Sequence, residues 1–438
     1  MTYVKKPSSF NPFDLKKYYN VIYKALDQIY PAFVDHDLPR ARKICSYEKD
    51  LDGLFKASFT EIRDHLRDGH KVDDMLTLLN IIRYLERVGD SFQNIGEAIM
   101  NVHVGEKMGL KQFRVLQKGL ATQNIDIEQA RVEFQPIMNT RSGSRVARIT
   151  DRRGGGKKTR RVFYKEGTPD KIDEEVAGLK LWQQRYPDTT AELLWHNSSK
   201  SSATILMEHI EGADLLEILI NKRSKADKAL KLVSRSLRNR WDTTKKNKTV
   251  PINYINQLMQ RKEDIQSMHD GLFKWDPEMK SMLREARTLE KTLKAPFSTL
   301  IHGDMNVDNM ICTPDFKQLY YVDVHRSTYG DYVQDVSVFL ASNFRIPLFS
   351  NDVRRNLNAA NDRIYTCARS FARKHGDVNF DARLALGLFR SFITSTRFLI
   401  DTSFSRDLYY QATEIMRELL AQKSMKKFKL RRSCFTYG

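Results

Sequence analysis

FSTLIHGDMNVDNMICTPDFKQLYYVDVHRSTYGDYVQD, Phe297 to Asp335, is the stretch around which the chain is organised. An apolar run ends in His302-Gly303-Asp304, Asn309 follows five residues after Asp304, and Asp323 closes a second apolar run. The order is strand, loop, short strand, turn, short strand. The turn is Thr313 to Lys317, TPDFK, whose Pro and Asp favour a tight reversal, so Asn309 and Asp323 are expected together at the open end of a hairpin. A carboxylate that orients an attacking hydroxyl, with an amide oxygen and a second carboxylate for magnesium, is the set that phosphoryl transfer from a nucleotide requires.

His302, Gly303, Asp304, Asn309, Asp323, Gly330, Asp331 and Asp335 stand in the order and spacing of a known signature. The stretch resembles the aminoglycoside phosphotransferase and choline kinase branch of the protein-kinase-like fold. That resemblance implies Asp304 as catalytic base, Asn309 and Asp323 as magnesium ligands, Asp331 and Asp335 as supports of the loop, and ATP with Mg2+ as cofactors. His302 is expected to brace the loop rather than to act as acid or base. Taken singly, Asp304 and Asn309 also read as turn residues and Asp323 as a helix cap; the ordered set is what argues for chemistry.

Upstream, the periodicity changes from helical to alternating after Gln123. Val132–Met138, Arg145–Ile149 and Arg161–Lys165 read as strands, and Leu193–Trp195 and Ala203–Met207 complete a sheet. The turn holding Ser142, Gly143 and Ser144 is a candidate phosphate cover, although it is not G-x-G-x-x-G. Lys165 ends the third strand, where the resembling fold needs a cation for the α- and β-phosphates. Glu175, on a helical pattern from Ile172 to Trp182, is its expected partner, with Glu174 as the alternative. Asp304, Lys165 and Glu175 form the candidate catalytic set. Glu208-His-Ile-Glu-Gly212 reads as a hinge, with Glu208 and Ile210 expected at the adenine edge.

Before Gly119 the chain is rich in helix formers, with Leu51, Leu54, Phe55, Phe59, Ile62 and Leu66 at helical spacing. Three helices are expected, over 13–30, 38–68 and 71–104, packed as an up-down bundle. Glu48 with Asp52 and Glu86 with Asp90 are i, i+4 acidic pairs, which repel unless a cation lies between them. Glu86, Arg87, Gly89, Asp90, Asn94, Ile95 and Glu97 resemble the acidic run of PhoU-type phosphate-signalling proteins. The resemblance implies a three-helix bundle and a transition-metal site at Glu48, Asp52, Glu86 and Asp90. The other reading is a solvent-facing stripe paired with Arg83, Arg87 or Lys49.

The fold class is thus α+β, a PhoU-like bundle followed by a bilobal kinase-like domain. The expected divisions are 1–122 for the bundle, 123–212 for the small lobe and hinge, and 213–438 for the helical large lobe. A fragment starting near Ala121 is expected to melt cooperatively on its own. At 438 residues and 41% hydrophobic, the chain can bury more than one core. No apolar run approaches the ~20 residues of a membrane span, and four scattered cysteines fit a reducing cytoplasm.

The formal charge of +19 favours phosphate-bearing partners and disfavours cationic amino-sugars. The expected acceptor is therefore a hydroxyl on a small anionic molecule, such as a sugar phosphate, a nucleotide-sugar or a lipid headgroup. The tail KSMKKFKLRR, Lys423 to Arg432, has six basic residues and no acid, and reads as solvated surface or as an arm for an anionic inner-membrane surface or for nucleic acid. Nucleic acid is not the expected partner. The chain reads as a small-molecule kinase under a phosphate-linked regulatory domain, and the alternative is a regulator that binds nucleotide without turnover.

Overall fold

The computed structural model describes residues 13–69, 71–104, 108–127, 132–137, 144–152, 159–269 and 277–437. The chain forms two compact units: Met1–Pro169 with Leu193–His209, and Asp170–Glu192 with Ile210–Gly438.

The first unit opens with α1 (Leu15–Val34), α2 (Leu38–Arg67), α3 (Val72–Val104) and α4 (Leu110–Thr122). Asp37 caps α2 by accepting from Arg40 N–H at 3.0 Å, and Pro39 stands in the first turn, where a missing N–H costs nothing. Pro31 does not end α1, as the sequence suggested. The helix runs on to Val34, and Asp35 N–H bonds the Pro31 carbonyl. Ile44, Leu51, Leu78 and Ile82 are fully buried in the bundle. Gly96 allows the backbones of α2 and α3 to meet, since a Cβ there would lie 2.6 Å from the Ala41 carbonyl oxygen.

The same unit carries an antiparallel sheet of β1 (Val132–Pro136), β2 (Arg145–Asp151), β3 (Arg160–Gly167), β4 (Leu193–Ser198) and β5 (Ala203–Glu208), ordered β1-β2-β3-β5-β4. Helix α4, absent from the sequence reading, lies against it. Gln112 donates to Glu166 at 2.7 Å, and a Cβ on Gly119 would meet the Trp195 ring at 2.6 Å. Phe113, Leu116 and Leu120 join Ile149, Val162, Tyr164 and Leu206 in one hydrophobic cluster that continues to Ile44 and Leu78. The core therefore runs across the boundary expected near residue 122.

A fragment beginning at Ala121 is accordingly expected to lose its cooperative melt, contrary to the sequence expectation. Burying one Leu or Phe contributes about 1.5–3 kcal/mol. Three such residues amount to a large share of the ~5–15 kcal/mol that stabilises a domain. Calorimetry on residues 121–438 tests this, and a sharp transition at the full-length temperature would refute it.

The second unit contains α5 (Pro169–Arg185), β6 (Ala213–Asp214), α6 (Leu215–Asn221), α7 (Ala226–Thr244), β7 (Val250–Pro251), α8 (Tyr254–Met259), α9 (Lys262–Met268) and α10 (Pro277–Thr292). There follow β8 (Lys294–Ala295), β9 (Thr299–Ile301), β10 (Met310–Cys312), β11 (Leu319–Tyr321), β12 (Thr328–Gly330), α11 (Tyr332–Phe344), α12 (Asn351–Lys374), α13 (Phe380–Ser395) and α14 (Thr402–Leu420). Strands β10 and β11 form the expected hairpin, with Met310 opposite Tyr321, and β12 pairs with β9. Asp315 holds the turn by accepting from Thr313 Oγ1 at 2.7 Å and Lys317 N–H at 3.1 Å.

The basic tail is docked rather than extended as an arm. Phe428, Leu430, Cys434 and Phe435 are buried, Asn361 donates to the Phe435 carbonyl at 2.6 Å, and Arg432 pairs with Asp362 at 2.7 Å. Apolar residues interleaved with the lysines anchor the segment while Lys423, Lys426, Lys427 and Lys429 stay exposed. Among the described residues no helix is long and apolar enough to cross a membrane.

Candidate active site

Strand β9 delivers His302-Gly303-Asp304 into a loop held by Asp335 on the first turn of α11. Its Oδ2 accepts from His302 N–H at 2.8 Å and from Arg240 Nη2 at 2.7 Å, and its Oδ1 accepts from Gly303 N–H at 2.9 Å. Asp335 and Arg240 are both wholly buried. The Arg240 guanidinium lies over the rings of Trp182 and Tyr321, at 5.3 and 4.9 Å, which offsets part of its lost hydration. Asp331 caps α11 through Val333 N–H at 3.1 Å and is itself held by Arg383 at 2.8 Å. Gly303 has φ +81°, and a Cβ there would run into the Arg326 carbonyl, so only glycine suits this bend.

Asp304 Oδ1 accepts from Asn306 Nδ2 at 2.9 Å, and its Oδ2 is 3.1 Å from Arg326 Nη1. Asn309 Nδ2 donates to the Asp304 backbone carbonyl at 2.9 Å, which leaves Oδ1 as its acceptor end. The Asn309 carbonyl accepts from Val322 N–H at 3.1 Å, bringing Asn309 next to the residue before Asp323. Asp323 has φ +60°, a left-handed conformation that Asp tolerates better than most side chains, and its Oδ1 is 3.3 Å from His325 Nδ1. Gly178 of α5 packs on the following turn, where a Cβ would strike the Val324 carbonyl.

His302 ties loop to hairpin. Its Nε2 bonds the Val322 carbonyl at 2.9 Å, and Asp304 N–H is 3.3 Å from its Nδ1. Burial lowers its pKa, so the ring is neutral and can donate at Nε2 while accepting at Nδ1. That is the bracing position expected from the sequence.

Asp304, Asn309 and Asp323 thus share one loop and one hairpin of the second unit. Glu175, buried on α5, and Ile210 belong to this unit as well. Lys165, Ser144 and Glu208 belong to the first. Lys165 lies on β3 between Val146 and Ile205, on the sheet face opposite that of Tyr164 and Glu166, which face α4. Ser144 is buried, Glu208 ends β5 exposed, and Ser142 and Gly143 fall outside the described residues.

Asn309 and Asp323 supply an amide oxygen and a carboxylate, hard donors of the kind Mg2+ accepts when phosphates and water complete its shell. Glu48, Asp52, Glu86 and Asp90 fare differently. The Asp52 carboxylate is taken by Lys56 at 2.6 Å, one turn further along α2. Among the described residues no group of three or more His, Cys, Asp or Glu side chains comes together to hold a metal. The sequence reading also missed three residues. Asn306 and Arg326 lie within the quoted stretch, beside the candidate carboxylates, whereas Arg240 is 95 residues from Asp335 and carries no local signal.

The model of the "Phosphotransferase enzyme family" matches residues 134–371, and that of the "PhoU domain" matches residues 15–99. A phosphate-specific transport system accessory protein PhoU homolog of Clostridium acetobutylicum is 31% identical over 80 residues, 18% of this chain and 36% of that protein. Its counterpart from Borreliella burgdorferi is 33% identical over 86 residues, 19% of this chain and 39% of that protein. The chain spans well under half the length of these curated relatives. Among solved structures, an aminoglycoside-3'-phosphotransferase of type VIII is 17% identical with a TM-score of 0.42, covering 65% of this chain and 97% of its own. A Plasmodium vivax ethanolamine kinase is 11% identical with a TM-score of 0.46, covering 75% and 96%.

Proposed function

Because the chain belongs to the phosphotransferase enzyme family and carries a PhoU domain at its N-terminus, we propose that it transfers the γ-phosphoryl group of ATP to a hydroxyl of a small molecule. The observation that carries this reading is the buried Asp335 clamp on His302 and Gly303, which fixes Asp304 one hydrogen bond from Asn309. In it, Asp304 orients the acceptor hydroxyl and takes its proton. Asn309 and Asp323 would hold magnesium, which would supply positive charge against the transferring phosphates. Lys165 is proposed as a cation for the α- and β-phosphates, and Glu175, Glu208 and Ile210 as further nucleotide-binding residues. Preorganised charge does most of the work, since phosphoryl transfer asks little covalent help of the protein. The PhoU domain would tie this activity to phosphate supply, as the names of its relatives suggest, and a cytoplasmic setting fits ATP as donor.

Calorimetry with ATP, with and without Mg2+, tests the first step. Asp323→Asn should weaken magnesium-dependent nucleotide binding by at least the about 10- to 100-fold that loss of a metal ligand's supporting partner costs. Absence of nucleotide binding by the unaltered chain would sink the reading. The competing reading, a regulator that binds nucleotide without turnover, draws on the fact that both Asp304 carboxylate oxygens already have partners. Transfer from labelled ATP separates the two.

A further inference from the structure

Beside Asp304 the second unit gathers cations. Arg326 pairs with Asp304 Oδ2 at 3.1 Å and is nearly half exposed. Asn306, bonded to Asp304 Oδ1, accepts through its own Oδ1 from Arg345 Nη2 at 3.3 Å. The Arg345 guanidinium lies 5.5 Å from the centre of the Phe398 ring, and that of Arg397 lies 4.2 Å from the centre of the same half-exposed ring. One connected series therefore runs from the candidate base to Arg397: Arg326, Asp304, Asn306, Arg345, Phe398, Arg397.

Two guanidinium groups on one ring repel each other, and a partly buried site screens that repulsion less than open water does. Arg397 donates to the Thr394 carbonyl at 2.9 Å, and Arg345 to Ser395 Oγ at 3.4 Å. The Arg397 pKa is held down to about 10, by burial first and then by the charges of Arg261 and Arg326, against the opposing charge of Asp264, with Arg345 adding a smaller lowering. Arg390 is lowered as well, by burial first, and it too feels Arg326 and Asp304. Its Nε is buried with no hydrogen-bond partner among the described residues. Concentrated positive charge that lowers its own basicity is relieved by an anion.

We propose that Arg326, Arg345 and Arg397 bind the phosphate of the acceptor, so that the molecule presented to Asp304 is a phosphorylated alcohol. The assignment rests on the phosphotransferase reading for Asp304 and adds the acceptor class. Guanidinium forks match phosphate oxygens in pairs, which ammonium groups do not. A single side-chain amide, that of Asn306, separates Asp304 from Arg345, so a short polyol spans from a reacting hydroxyl to a phosphate on the arginines. Arg326 then exchanges Asp304 for the incoming phosphate, which releases the carboxylate oxygen for the hydroxyl.

The test is calorimetric binding to the full-length protein, independent of turnover. Glycerol 3-phosphate and ribose 5-phosphate are compared with glycerol, ribose, glycerate and glucosamine. The phosphorylated alcohols should bind, more weakly as salt rises. Each of Arg345→Gln and Arg397→Gln should lose tenfold or more, and Arg345→Lys, which keeps the charge but not the fork, should lose less. Lys280→Gln, the same charge change on the exposed face of α10, should bind as the unaltered protein does. A melting temperature for each variant confirms folding. Absence of binding by either phosphate, unchanged binding in the folded arginine variants, or preference for glycerate or glucosamine would overturn the assignment. Labelled ATP is assayed in parallel. Phosphate binding lost in the arginine variants, without any phosphoryl transfer, supports the anion site and refutes the kinase reading. Transfer to a neutral alcohol without phosphate binding refutes the anion site alone.

Discussion

Asp304→Asn is expected to lower kcat by about 10²- to 10⁴-fold, the range that a positioned proton acceptor contributes, while nucleotide affinity stays near that of the unaltered protein. The asparagine keeps the side chain's shape, so the bond from Asn306 and the backbone bond from Asn309 need not change. What is lost is the negative charge that pairs with Arg326 at 3.1 Å and that the proposed mechanism uses to accept the hydroxyl proton. In the proposed role the group acts on the acceptor in the transition state, so kcat and kcat/KM should fall together. Steady-state transfer from labelled ATP gives both constants. A loss confined to KM would mean that Asp304 only binds the acceptor, and undiminished kcat would remove it from the chemistry.

Asp335→Ala should destabilise the fold by about 3–5 kcal/mol, the usual cost of leaving one member of a buried ion pair unpaired. Arg240 would remain wholly buried opposite a missing carboxylate, and the backbone N–H groups of His302 and Gly303 would lose their acceptor. Against a total stability of about 5–15 kcal/mol this decides whether the chain is folded at working temperature. Denaturant melts measure it. The double variant Arg240→Met with Asp335→Ala should recover part of the loss, because it removes the stranded charge. A single-variant loss under about 1 kcal/mol would show that the clamp contributes no more than an ordinary hydrogen bond. Phosphoryl transfer should fail in the folded remainder, since the loop that positions Asp304 has lost its anchor.

Helical spacing and alternation marked α1, α2, α3, α5 and the five strands of the sheet, because each pattern reports which face of a local element is apolar. The family signature likewise placed Asp304, Asn309 and Asp323 on a loop and hairpin whose turn chemistry lies within a few residues. Pro31 misled for a local reason as well: a proline ends a helix only if the remaining bonds cannot carry it onward, and here Asp35 bonds back to its carbonyl.

What the amino-acid sequence determined by itself is therefore most of the elements, the loop and hairpin that carry Asp304, Asn309 and Asp323, and the family, all written in short-range spacing. Only the tertiary structure decided that α4 closes the sheet's core, that Phe428, Leu430 and Phe435 dock the basic tail, and that Arg345 and Arg397 meet on Phe398 beside Asp304. It alone paired Arg240 with Asp335 across 95 residues. Such contacts leave no periodic trace, because a long-range pair forms only when many other segments have already closed the chain around it, and any one arginine or lysine in the intervening sequence carries the same charge.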